Sequence, residues 1–394
     1  EKSHENGIDI FRIFDAVNDL RNLETAMRTA KRVGAHVQGT ICYTISPVHS
    51  VDLFVSQAKQ LVQMGADSIC IKDMAGLLHP FTAAELVARF KDAVDVPVVL
   101  HCHCTSGMAE MTYVKAVEAG VDAIDCAISA LAQGTSQPPT ESVVATFEGH
   151  PRDPGLDLDL LAQIAQYFAE IRPKYARFEG GLKGVDAGVL VHQIPGGMIS
   201  NLMSQLRELN AIDRLPDVLQ EMPRVRKDMG YPPLVTPTSQ IVGTQAVMNV
   251  LQGERYKVIP REVQAYVQGY YGHPPAPLSE ELVAKVLSNG QEPIGGRPAD
   301  LLPPEWEKAR AEAGELAKSD EDVLSYALFP QVAADFLKWR DSGGSETETV
   351  AAIVAAMTYH ERRTPTPLVS STNGVGQGSA WRMHGRRLQL RARR

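Results

Sequence analysis

The chain has 394 residues, enough for two or three compact domains each with a real core. A formal net charge of −8 argues against a general nucleic-acid binder, while 44% hydrophobic and 22% charged residues is the make-up of an ordinary globular protein. The cysteines number five (Cys42, Cys70, Cys102, Cys104 and Cys126), an odd count without framework spacing, and read as reduced core residues of a cytoplasmic protein. No apolar run reaches about 18 residues, so no membrane-spanning helix or signal peptide is expected.

From Gly7 to about Gly149, short apolar runs alternate with helical patterns. Strands are expected at Ile8–Phe14, His36–Tyr43, Ser68–Lys72, Val98–His103 and Ala123–Ala127. Between them fall helices at Leu20–Val33, Val51–Met64, Ala83–Val94 and Ala109–Ala119, three of them closed by Gly34, Gly65 and Gly120. Such alternation implies βαβ units and a parallel sheet. At about thirty residues per unit, a complete eight-stranded barrel needs three more strands; an open five-stranded sheet is the other reading. The abrupt opening at Glu1, straight into a buried-type strand, suggests a chain that starts inside a domain.

Past Pro151 the alternation stops. Helices are expected at Asp157–Glu170, Met198–Leu209, Leu215–Met229, Thr244–Leu251, Pro260–Gln268, Ser279–Leu287 and Val323–Trp339. The resulting division is 1–150 for the barrel-type part, 151–320 for a mainly helical domain, 321–342 for a terminal helix and 343–394 for a linker and a disordered basic tail.

The residues that carry chemistry gather at expected strand ends. Strand pleating points His101 and His103 one way and Cys102 and Cys104 the other, so the imidazoles form a candidate metal pair and the four do not form one zinc site. Lys72 ends the preceding strand, before Asp73-Met74-Ala75-Gly76. Desolvation there would make its amine nucleophilic, and CO₂ would convert it to a carbamate, an anionic oxygen ligand. The alternative is a structural ion pair with Asp15 or Asp73. Asp15 and Asn18, just past the first strand, serve equally as substrate-face residues or as helix caps. Thr236-Pro237-Thr238-Ser239 precedes an apolar helical run and reads as an N-cap or as a hydroxyl able to relay a proton. No glycine-rich phosphate fingerprint is present.

Taken in order, Phe11-Arg12-Ile13-Phe14-Asp15, Ile71-Lys72-Asp73-Met74-Ala75-Gly76, His101-Cys102-His103, Gly134-Thr135-Ser136-Gln137-Pro138, Ile194-Pro195-Gly196-Gly197 and Val235-Thr236-Pro237 resemble the biotin-dependent carboxyltransferases, from about Gly7 to about Gly314. That group includes the oxaloacetate decarboxylase α subunit, the pyruvate carboxylase B-type subunit and the transcarboxylase pyruvate-binding subunit. The resemblance implies a (β/α)₈ TIM barrel, of which the last five strands are present here, followed by the helical domain. It implies a divalent metal (zinc, manganese or cobalt) held by a carboxylated lysine matching Lys72, by histidines matching His101 and His103, and by an aspartate without a counterpart in this chain. The family's substrate arginine is likewise unmatched, which together with the strand count implies an N-terminal truncation that would leave this chain with little activity. A threonine matching Thr236 would carry the proton between biotin and enol-pyruvate; Ser239 matches a residue beside the biotin ring, and Asp15 lies on the substrate face. Biotin would arrive on a carrier protein or domain, since the chain has no Met-Lys-Met tripeptide. Further implied partners are a biotin carboxylase or membrane decarboxylase subunits, a second copy in a homodimer, and pyruvate or oxaloacetate. An acyl-CoA lyase or synthase of the same barrel superfamily is the alternative activity, and a dimerising helical remnant without activity is the non-enzymatic one.

Overall fold

The computed structural model describes residues 1–179, 184–287 and 292–341, so the linker and tail expected at 343–394 lie outside the described residues. Two compact units divide at Leu301/Leu302. The expected boundary near residue 150 does not separate units: the strand-bearing part and most of the helical region fold together.

In the first unit, a short helix α1 (Lys2–Glu5) precedes β1 (Ile10–Ile13). Then come α2 (Glu24–Arg32), β2 (His36–Cys42), α3 (Val51–Gln63), β3 (Ser68–Asp73), α4 (Pro80–Ala93), β4 (Val98–Cys102), α5 (Ala109–Glu118), β5 (Ala123–Ile124) and α6 (Thr140–Thr146). The strands are all parallel and stand side by side in chain order, β1-β2-β3-β4-β5. Consecutive order is that of neighbouring barrel staves; a doubly wound sheet would reverse direction at a switch point. The sheet is therefore an arc of a barrel.

Strand sequence explains its two faces. Val37, Ile41, Ile69, Ile71, Val98 and Leu100 alternate onto one side and are almost wholly buried against Phe54, Leu61, Leu86, Phe90 and Tyr113 of the helical layer. Each such side chain contributes about 1.5–3 kcal/mol relative to exposure. The opposite side carries Arg12, Gln38, Cys42, Cys70, Lys72 and His101, aligned by the registers Arg12↔Gln38, Cys42↔Lys72 and Lys72↔His101. A barrel interior normally filled by branched apolar residues is here polar and titratable.

Four of the expected strands run one to three residues too long at their ends, whereas β3 extends one residue further, to Asp73. Ala123–Ala127 shortens most, to Ala123–Ile124; Asp125 follows with its N–H on Leu100 O and its carboxylate beside Arg12 and His101. Leu20–Val33 opens as a 3₁₀ turn over Leu20–Leu23, capped by Asp19, before α2 begins at Glu24.

The helical region contains α7 (Leu158–Ile171), α8 (Val189–His192), α9 (Gly196–Glu208), α10 (Leu215–Asp228), α11 (Thr238–Gln252), α12 (Arg261–Val267) and α13 (Glu280–Val286). Its own core gathers Met198, Leu202, Val218, Met222, Val242 and Tyr266, and Val17 from the end of β1 joins it. Two polar ties bind this layer to the rim of the sheet. Asp19 accepts from His273 N (2.9 Å), and Arg226 Nη2 donates to Thr44 Oγ1 (2.8 Å), two residues past β2. Among the described residues the second unit contains α14 (Trp306–Ala313), α15 (Asp320–Leu328) and α16 (Pro330–Asp341). The single helix expected over Val323–Trp339 is two, because Pro330 has no N–H to continue the first. Arg340 clamps Asp322 with contacts of 2.9 and 3.0 Å and holds α16 on α15.

Candidate active site

At the C-terminal ends of β3 and β4, the histidine pair converges as strand alternation requires. His101 Nε2 and His103 Nε2 stand 3.1 Å apart. His103 Nδ1 lies 2.6 Å from the Thr135 carbonyl, which can only accept, so this nitrogen carries the proton. His101 Nδ1 lies 2.7 Å from Asp125 Oδ2, which is also an acceptor, since hydrogen bonds from His101 and Arg12 hold that carboxyl down to about 2 against the opposing effect of burial. With Nδ1 of each ring engaged by an oxygen, Nε2 is the nitrogen each ring turns toward the other. Burial, together with the charges of His101 and Lys72, pushes His103 down to about 4. The Gln137 amide nitrogen, 3.2 and 3.4 Å from the two Nε2 atoms, is the nearest neutral donor.

Lys72 pairs in register with His101 and is 9% exposed. Its Nζ rests against Met74 Sδ and 5.3 Å over the Phe14 ring. Among the described residues no carboxylate comes within ion-pair distance of this amine, so the structural ion pair with Asp15 or Asp73 does not form. Asp73 is turned away, accepting from Leu78 N (2.7 Å), Ala75 N and Cys102 Sγ. Burial depresses the Lys72 amine and favours its neutral, nucleophilic form. Gly76 completes the Lys72–Gly76 motif for a packing reason: at φ +69° a Cβ would stand 2.6 Å from the His103 carbonyl oxygen. The turn after β3 thus presses directly on the strand end that carries the histidines.

This donor set fits a divalent cation. Two nitrogens each at about 2.0–2.1 Å from one metal, at an angle between octahedral and tetrahedral, lie about 2.9–3.4 Å apart, and the observed 3.1 Å falls inside that range. Both Nδ1–H groups have the oxygen partners that fix imidazole ligands. No group of three or more His, Cys, Asp or Glu able to hold a metal exists among the described residues; of the other residue types, Lys72 is adjacent to the pair in register.

The remaining expected residues sit as follows. Asp15 accepts from Val17 N (3.0 Å), Asp19 N (3.0 Å) and Asn22 Nδ2 (3.0 Å), the local contacts of the capping reading. Asn18 ties the ends of β1 and β2 by pairing with the backbone of Cys42 at 2.9 Å in both directions. Thr236 is exposed in the loop leading to α11, and Ser239 is buried in the first turn with its hydroxyl on Gln240. None of these hydroxyls caps α11; Thr238 Oγ1 donates back to Pro233 O and Val235 O. Arg226 holds the Thr236 loop near the strand ends through Pro232 O (2.9 Å) and Thr44. Sequence reasoning missed Asp125 and Arg12. The available signals were a carboxylate just past a strand and an arginine inside an apolar one.

A sheet arc with a His-x-His strand end and a following helical layer is the frame of a barrel enzyme, and comparison with known proteins narrows the class. Residues 14–168 match the HMGL-like family and residues 189–370 the conserved carboxylase domain. The pyruvate carboxylase B-type subunit of Methanocaldococcus jannaschii is 62% identical over 340 residues, covering 86% of this chain and 60% of that protein. The methylmalonyl-CoA carboxyltransferase 5S subunit of Propionibacterium freudenreichii subsp. shermanii is 51% identical over 349 residues, covering 87% and 69%. The carboxyl transferase domain of Rhizobium etli pyruvate carboxylase superposes with a TM-score of 0.83 at 35% identity, covering 88% of this chain and 61% of that one. The chain belongs to the biotin-dependent carboxyltransferase family. It spans about 60% of the length of the archaeal protein it matches.

Proposed function

We propose that this protein moves a carboxyl group between biotin and pyruvate or oxaloacetate at the Lys72–His101–His103 site. The observation that carries the reading is the pair of Nε2 atoms 3.1 Å apart, each ring held at Nδ1 by Asp125 or the Thr135 carbonyl, beside a lysine that no carboxylate among the described residues pairs with. His101 and His103 would hold a divalent metal (zinc, manganese or cobalt), with Lys72 as its carbamate completing the set. When bound, such an ion polarises a keto acid and favours the enolate charge. The chain's own groups supply the rest. Asp125 and the Thr135 carbonyl keep the imidazoles in one tautomer, and Gln137 covers the open side. Thr236, exposed on the rim loop, would pass a proton between enol and biotin nitrogen, with Ser239 one helical turn away beside the biotin ring.

The conserved carboxylase domain at 189–370 and the relatives' names favour this over an acyl-CoA lyase. A solved relative, the R. etli carboxyl transferase domain, is described with pyruvate and biocytin, the substrate pair proposed here. Biotin would be presented by a carrier domain or separate carrier protein, with a biotin carboxylase or membrane decarboxylase subunits as the wider partners, a homodimer as the assembly and the cytoplasm as the location. Among the described residues no helix is long and apolar enough to cross a membrane. The test is Thr236→Ala in the full-length parent protein: biotin-linked carboxyl transfer is abolished while metal content is unchanged. Retained transfer, or lost metal, contradicts the assignment.

A further inference from the structure

A cavity of about 190 Å³ opens between the loop after β2, the segment before α9 and α10, and its lining contains none of Lys72, His101, His103, Thr236 or Ser239. Its walls are largely apolar, with Ile45, Pro47, Met222 and Leu234 among the lining residues, and Ser46 supplies a hydroxyl. Into this setting α10 delivers Arg226, 5% exposed. Nε donates to Pro232 O (2.9 Å), Nη2 to Thr44 Oγ1 (2.8 Å) and Nη1 to Gln193 Oε1. All three acceptors are neutral, and among the described residues no carboxylate reaches the guanidinium. One N–H on each Nη is left over, a planar fork of the kind that takes a carboxylate through two parallel bonds. Two histidines nearby add no charge: burial and Arg226 push His49 down to about 4, and burial lowers His192. Burial also brings Arg226 itself down to about 10, so it remains a cation at neutral pH. Among the described residues the cavity lining thus carries one positive charge, Arg226, that no carboxylate pairs with, an arrangement that is costly until an anion enters.

We propose that this cavity is a second ligand site of the protein, binding a small organic monocarboxylate through Arg226, with the carbon body of the ligand against Ile45, Met222 and Leu234. A monocarboxylate matches the single charge, whereas a dianionic phosphate would leave an excess negative charge in the same apolar walls. This site is separate from the metal-binding pair and independent of the carboxyl-transfer reading.

The test uses the full chain with metal removed by chelator, titrated with propionate and with its neutral isostere propionamide. Propionate is expected to bind with a Kd of about 1 mM and propionamide not to bind, and Arg226→Met is expected to weaken propionate at least roughly tenfold. Should that variant not fold, the native protein decides. By NMR, saturating propionate is expected to raise the His49 midpoint by roughly one pH unit, because its cationic neighbour is neutralised. His49 reports this cavity alone: its Nδ1 is 2.6 Å from Ser46 Oγ and its ring stacks on Phe54. Equal binding of propionamide, tighter binding of inorganic phosphate, or a His49 midpoint unmoved by saturating propionate would each overturn the proposal.

Discussion

Replacing Asp125 by asparagine tests whether the histidine pair is built to bind metal. The carboxylate stands 2.7 Å from His101 Nδ1 and also accepts from Arg12, and it fixes the proton on Nδ1 so that Nε2 is free. An asparagine of the same shape can turn its NH₂ toward His101, which moves the ring proton to Nε2, only 3.1 Å from the neighbouring Nε2. Outer partners of imidazole ligands are typically worth a factor of 10–100 in metal affinity, or about 1.4–2.7 kcal/mol. The Asp125→Asn protein is therefore expected to bind zinc or manganese 10–100-fold more weakly in competition with a chromophoric chelator, roughly the range set by that partner effect. Thermal unfolding of the metal-free protein separates this from the stability lost when Arg12 gives up its ion pair. Affinity within about twofold of the native protein would refute the tautomer argument.

Other outcomes follow from the same contacts. Lys72→Met is expected to abolish both tight metal binding and the carbamate carbon signal seen by ¹³C NMR with labelled bicarbonate; an unchanged signal would place the carbamate elsewhere. Tyr113→Phe removes the hydroxyl that accepts from Cys102 N (3.1 Å) and bonds to Asp125 O beneath the histidine strand. It should cost about 1–3 kcal/mol in urea unfolding because a buried N–H is left without its partner. Burial alone would raise Asp19, but the hydrogen bonds from Arg21 and His273 N lower it below the usual carboxylate range. Its folded pKa is depressed, so its contribution is fully present above the unfolded value near 3.9 and is lost as the pH falls below that. Asp19→Asn should flatten the acid limb of the stability curve below about pH 4, and an acid limb identical to the native one would contradict the assignment.

Much of this was legible in the residues because it is periodic. Val37, Ile41, Ile69, Ile71 and Leu100 alternate along their strands as a one-sided apolar face demands, and the same period puts His101 and His103 on one side. Lys72 stood out as a cation at a buried strand end, and its unpaired state in the fold sharpens that signal. The turn contacts of Asp15 were not legible, because which backbone N–H groups a strand-end carboxylate accepts from depends on φ and ψ values that composition does not carry. Asp125 was invisible as a partner of His101: 24 residues separate them and only the β4–β5 pairing brings them together. The Arg226 cavity is likewise non-local, assembled from the loop after β2, the segment before α9, and α10.

X-ray absorption or crystallography of the metal-loaded protein is the most direct measurement. The account expects two imidazole nitrogens, His101 Nε2 and His103 Nε2, at about 2.0–2.1 Å from the ion, joined by an oxygen of carboxylated Lys72. A metal bound without those two nitrogens, or beside an unmodified Lys72 amine, would contradict it.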